Sequence, residues 1–213
     1  MTRALLVAVL ATAWAAAAGA QDASATWARE RAREEAGDFK GAIEACQQIL
    51  REHPQEKARA LNAIGGLSGK MGRFREEIQW SQRALAADAH FFEAEINIGN
   101  AQAQLGQMKA AQASFERART LAPREPLPAY SLGVLAEARH DVAGATALYE
   151  QSVALEPKFD SGWFNLAAMY ASAGRFDDAL GALDKVLALN PKAADALAMR
   201  RHVEADKAAA AKR

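Results

Sequence analysis

An all-α fold is expected from three features of the sequence. Prolines fall at 123, 157 and 191, 34 residues apart. The composition is alanine-rich, 51% hydrophobic and only 7% aromatic. Apolar residues recur at i, i+3, i+4 and i+7, one face of a helix. Alanine favours helices, whereas a β-sandwich needs more β-branched and aromatic side chains. For a chain of 213 residues, this apolar content suffices for a continuous core and argues against disorder. Lys+Arg and Asp+Glu both number 26, so no basic excess is available for nucleic-acid phosphates, and no nucleic-acid partner is expected.

Residues 1–20 have the form of a signal peptide: Arg3 is basic, Ala4 to Ala18 is apolar, and Ala18-Gly19-Ala20 is a small-x-small cleavage site. An uncleaved anchor is the alternative. The segment is short against the roughly 20 residues of a span, and alanine is weakly hydrophobic. The expectation is an exported, periplasmic protein beginning at Gln21, without a membrane span after cleavage. No cysteine follows the site for lipid attachment, and Cys46, the only cysteine, allows neither an intramolecular disulfide nor a cysteine zinc cluster.

The 34-residue interval also relates Ile64-Gly65, Ile98-Gly99, Leu132-Gly133 and Leu166-Ala167. It further relates Phe74, Met108, Val142 and Phe176, then Ala111, Ala145 and Ala179, then Phe115, Tyr149 and Leu183. With Trp163, Tyr170, Gly174 and Pro191 in the last repeat, the sequence resembles the tetratricopeptide repeat (TPR) family, as an exported bacterial-type member. The resemblance implies a right-handed superhelical α-solenoid of about five helix-turn-helix units plus a C-terminal capping helix. The units are a degenerate N-terminal cap over 21–57 and four repeats over 58–193. A capping helix is expected at 194–205 and a frayed tail at 206–213.

Helix A of the four repeats is expected at 59–71, 93–105, 127–139 and 161–173, and helix B at 75–87, 109–121, 143–155 and 177–189. Prolines 54, 123, 157 and 191 are expected to stop helix B. Glycine or alanine on helix A, facing alanine on helix B, lets the two backbones approach. Two departures stand out. Glu77 occupies the small-residue position, so either it tilts to solvent past Gly65 and Gly66 or that repeat is loosely packed. Ala89 replaces the terminal proline. In the cap, Arg29 and Glu30 replace Leu-Gly, as suits a repeat with one solvated face.

Catalytic chemistry finds no footing. Gly65-Gly66-Leu67-Ser68-Gly69-Lys70-Met71 is one residue short of a phosphate-binding loop, lacks its Ser or Thr, and falls within a helix. His53, His90, His140 and His202 lack helical metal-site spacing and read as solvated turn residues. Cys46 falls in the column of Phe115 and Tyr149 and reads as a buried hydrophobe. The acidic pairs Glu34-Glu35, Glu76-Glu77 and Asp177-Asp178 read as solvated helix starts and faces. Neither an enzyme, a cofactor nor a metal is expected.

The resemblance implies a concave groove lined by helix A, where a protein or extended peptide binds. The columns supplying it here contain Asn62, Ile96, Tyr130 and Phe164, then Asn97 and Asn165, then Asn100 and Val134. Clamping of a chaperone's terminal carboxylates is unlike this sequence, because Leu127 and Ser131 replace the required basic residues. An asparagine ladder holding a peptide backbone matches Asn97 and Asn165 but is interrupted by Ala63 and Ser131. The asparagines are also common on exposed helices, and the aromatics also suit inter-repeat packing. The expected role is a protein-interaction scaffold in envelope assembly or secretion. The alternatives are a self-associating structural protein or a non-catalytic accessory subunit. Intact-mass measurement of the exported protein is expected to find Gln21 at the N-terminus; recovery of the full-length chain from the cytosol would refute export.

Overall fold

The computed structural model describes residues 23–212, whose regular secondary structure is helical throughout. The expected signal peptide lies outside the described residues. Helix α1 covers 23–35 of them. It is followed by α2 (Phe39–Glu52), a 3-10 turn (Pro54–Glu56), α3 (Lys57–Lys70), α4 (Phe74–Ala87) and α5 (Phe92–Gln104). Then come α6 (Met108–Leu121), α7 (Pro126–Glu137), α8 (Val142–Leu155), α9 (Asp160–Ser172), α10 (Phe176–Leu189) and α11 (Ala194–Ala210). Every expected A and B helix is present, with ends within two residues of those read from the sequence. The terminal helix departs more: α11 runs to Ala210, so most of the segment expected to fray is helical. Its Ala-Lys run has high helix propensity, and Lys207 pairs with Asp177 of α10.

The chain divides between Gly106 and Gln107 into two compact units. In the first, α2 packs on α3, α3 on α4 and α4 on α5. Trp27, Ala42, Cys46, Ile49, Ala60, Ile64 and Leu67 form one core cluster. In the second, α6 to α11 pack each on the next. Two clusters fill it, one around Tyr149, Val153, Leu166 and Met169 and one around Ala167, Leu183, Val186 and Val203.

The turns after the A helices share one geometry. Gly37, Gly72, Gly106 and Gly174 take φ of 76°, 75°, 75° and 72°, and His140 takes 61° in the same place. The N–H groups of Asp38, Arg73, Asp141 and Arg175 then reach back to the carbonyls of Arg33, Ser68, Ala136 and Tyr170 at 2.8 to 3.0 Å. This turn satisfies helix-end carbonyls and needs a left-handed residue, which is why glycine recurs. The B helices end two residues before Pro54, Pro123, Pro157 and Pro191, as expected. Helix α4 ends at the same place without a proline. There Asp88 is extended, and its carboxylate accepts the His90 N–H at 2.9 Å, an Asx turn in place of the proline.

Where helix A crosses helix B, there is no room for side chains from both. A Cβ on Gly133 would lie 2.7 Å from Tyr149 Cε1, and one on Gly65 would lie 2.9 Å from Ser81 Oγ and 3.2 Å from the Glu77 carbonyl. In the α3–α4 pair the bulk is redistributed. The Tyr149 column holds Ser81, and the alanine column holds Glu77, which neither tilts to solvent nor loosens the repeat. It is 6% exposed, and its carboxylate fills the space above Gly69, where any Cβ would collide with it. Burial pushes the Glu77 carboxyl up to about 7.

Other buried polar groups also depart from expectation. Glu30 is buried, whereas Arg29 is exposed. His53 is 4% exposed rather than solvated, and its Nε2 has no hydrogen-bond partner among the described residues. The other three histidines are exposed. Cys46 is fully buried in the first cluster, where burial foremost pushes its thiol up to about 12, in keeping with a packing role. No helix among the described residues is long and apolar enough to cross a membrane.

This packing can be tested at two positions through stability. His140→Gly relieves a left-handed non-glycine residue whose side chain is exposed. It is expected to raise stability by about 0.5 to 1 kcal/mol in urea denaturation, since the strain removed exceeds the added chain entropy; a lower midpoint would contradict the strain. For Glu77, the folded chain holds the proton more tightly than the unfolded chain, so the sign is the reverse of a salt-bridged carboxylate. Stability from the neutral form is complete below the ordinary value of 4.5 and is lost as pH rises through about 7. Glu77→Gln is therefore expected to gain about 2 kcal/mol relative to the natural chain between pH 5 and pH 8. A difference independent of pH would show that the carboxyl is solvated.

Candidate functional site

A concave pocket of about 350 Å³ lies in the second unit, built from α7, α9, α10 and the start of α11. It gathers three of the groove residues read from the sequence, Tyr130, Phe164 and Asn165. Tyr130 is braced at one edge, its ring 5.0 Å from Phe159 at 76° and 5.6 Å from Tyr149 at 45°. The hydroxyl of the fully buried Tyr149 donates to Glu137 Oε2 at 2.7 Å. Asn165 Nδ2 donates to the hydroxyls of Tyr130 and Tyr149 at 3.2 and 3.3 Å. The side-chain amide thus spends both N–H groups inside the protein, and its carbonyl oxygen has no hydrogen-bond partner among the described residues. Burial pushes the Tyr130 phenol up; the Asn165 bond opposes this, and the charges of Glu137 and Asp160 add to it. Both phenols are therefore neutral hydrogen-bonding groups near neutrality.

The remaining groove residues do not join this pocket. Val134 is 42% exposed and stands outside it. Ile96, expected to face a ligand, is 4% exposed and serves the core. In the first unit Asn97 Nδ2 donates to Asn62 Oδ1 at 2.9 Å and to its carbonyl at 3.4 Å, while Asn100 is exposed. Asn97 and Asn165 alike direct their amide N–H groups to protein acceptors.

Sequence reasoning missed Asp160, Ser161, Asn190 and Asp195, which also line the pocket. Asp160 and Asp195 lie in the first turns of α9 and α11, where an acid is ordinarily explained by the helix dipole. The capping helix stands outside the repeat columns, so periodicity could not align Asp195 with anything. No group of three or more His, Cys, Asp or Glu side chains suited to a metal occurs among the described residues.

Three family models described as tetratricopeptide repeat match residues 31–56, 96–158 and 136–203. No curated protein matches the sequence closely enough to count. Among solved structures, the chain is similar to a thermophilic TPR protein of Thermus thermophilus. That match has 20% identity and a TM-score of 0.72, and covers 85% of this chain and 98% of the other. It is also similar to PilF of Pseudomonas aeruginosa, with 16% identity, a TM-score of 0.69 and 90% of each chain covered. A third is YrrB, described as a TPR protein with an unusual peptide-binding site, at 18% identity and a TM-score of 0.55, covering 81% of this chain and 88% of that one. Identities this low speak for the fold alone. With the 34-residue columns, the shared glycine turn and the matches over 31–56 and 96–203 in agreement, the chain belongs to the tetratricopeptide repeat family.

Proposed function

We propose that this protein is a non-catalytic interaction scaffold that docks an extended segment of a partner protein in the pocket of its second unit. The observation that carries the reading is the convergence of Tyr130, Phe164 and Asn165 on one concave site of about 350 Å³. Concave sites with aromatic walls and a few fixed polar groups are the usual form of a binding pocket. YrrB, a TPR protein of similar fold, carries a peptide-binding site. The leader-like residues 1–20 further support a periplasmic setting and a partner in envelope assembly or secretion.

The pocket ranks its own residues. Phe164 is half-buried and lines the pocket. Tyr130 also packs against Phe159 and Tyr149, so its truncation disturbs the fold as well. Phe164→Ala is expected to weaken capture of the partner from an envelope extract by about 2 kcal/mol. Arg117→Ala, exposed on α6 and outside the pocket, is expected to change it by less than about 0.5 kcal/mol. Thermal unfolding of both variants controls for stability. Unchanged capture by a folded Phe164→Ala protein, with loss on Arg117→Ala, would remove the pocket from the function.

A further inference from the structure

We infer that the pocket of the second unit receives an arginine or lysine side chain of the partner segment, its charge compensating Asp160 and Asp195 and its alkyl stem lying along Tyr130 and Phe164. This rests on the docking reading above and names the chemistry of the occupant.

The argument begins with which groups lack partners. Five acidic side chains of this unit have cations of their own: Glu116 with Arg119, Asp178 with Arg175, Asp184 and Glu204 with Arg200, and Asp177 with Lys207. Others, such as the exposed Glu125 and Asp206, have none among the described residues and stand outside the pocket. Asp195 has neither a hydrogen bond nor an ion pair among the described residues, and Asp160 bonds only the N–H and hydroxyl of its neighbour Ser161. A helix start explains one acid in a first turn. Each of the two acids has its own helix start, but both line one aromatic pocket whose lining contains no lysine, arginine or histidine.

Hydrogen-bond polarity points the same way. Both Asn165 N–H groups are spent on tyrosine hydroxyls, so this side chain offers its carbonyl oxygen. Two carboxylates and a carbonyl call for a donor-rich ligand, and Asn190 retains its amide N–H groups for a backbone carbonyl beside it. Aromatic faces suit a guanidinium or ammonium and its stem. A pocket of about 350 Å³ stands near the lower end of ligand sites, the size of one long side chain with its flanking backbone. An acidic segment would meet uncompensated carboxylates and be repelled.

Two blocked pentapeptides serve as probes, Ser-Leu-Arg-Leu-Ser and the same sequence with citrulline, neutral and isosteric, in place of arginine. Binding is read from the NMR shifts of the Asn165 side-chain amide. The arginine peptide is expected to bind about tenfold more tightly, the value of a charge-assisted over a neutral contact. Its advantage should shrink in about 0.5 M NaCl. It should disappear in the Asp160→Asn, Asp195→Asn double variant, which should still bind citrulline unchanged, and persist in Asp206→Asn, an exposed acid outside the pocket. Should the double variant not fold, Asp195→Asn alone is expected to lose about threefold for arginine only. Equal affinity for the two peptides, or an advantage that survives the aspartate changes, overturns the cationic occupant and leaves the docking reading standing. If neither peptide moves the Asn165 signal at millimolar concentration, both fall.

Discussion

The contact on which each repeat depends is the backbone approach of helix A to helix B. At that crossing the helices come so close that one side must surrender its side chain. Gly133 gives way to Tyr149, and a Cβ there would press into the ring. Where the facing residue is Leu183, slimmer than tyrosine, Ala167 suffices, and both are fully buried. Interiors are packed near crystal density, so volume removed from one helix has to be supplied by the other.

The same constraint explains why the α3–α4 pair departs from the family pattern without departing from the family fold. Residues 57–95 lie outside the three family matches. Here Ser81 and Gly69 are small where other repeats are larger, and Glu77 is large where they have alanine. The bulk has moved one turn along the crossing. Filling that space with a carboxyl imposes an electrostatic cost that an apolar group would not, because burial disfavours the ionised form. Ser81 Oγ, buried without a partner among the described residues, adds to the strain of the exchange.

In the second unit the constraint leads directly to the pocket. Gly133 admits the Tyr149 ring, whose hydroxyl reaches Glu137 and Asn165, and Asn165 in turn holds the Tyr130 hydroxyl. Packing at the crossing therefore decides which way Asn165 points and which of its polar atoms is left unbonded. Side chains held by such bonds are already fixed in the free protein, so little further freedom remains to be lost in any contact they make.

Much of the architecture was legible from periodicity alone. The proline, glycine and leucine columns placed eight helices nearly to the residue, because helix length, turn geometry and the apolar face are local consequences of a repeated pattern. Tyr130, Phe164 and Asn165 could be picked out for the same reason, as members of helix-A columns. What the columns could not decide is which members remain available. Ile96 turned inward, Asn97 bonded Asn62, and Asn165 spent its amide on two tyrosines. Asp195 joined the site from a helix outside the repeat. Those outcomes rest on distances between residues far apart in sequence, which a column records only as identity. The sequence by itself determined the helices and their order, because these follow from local pattern; only tertiary packing decided the buried state of Glu77 and the polarity of the pocket, because burial and hydrogen bonding are properties of neighbours.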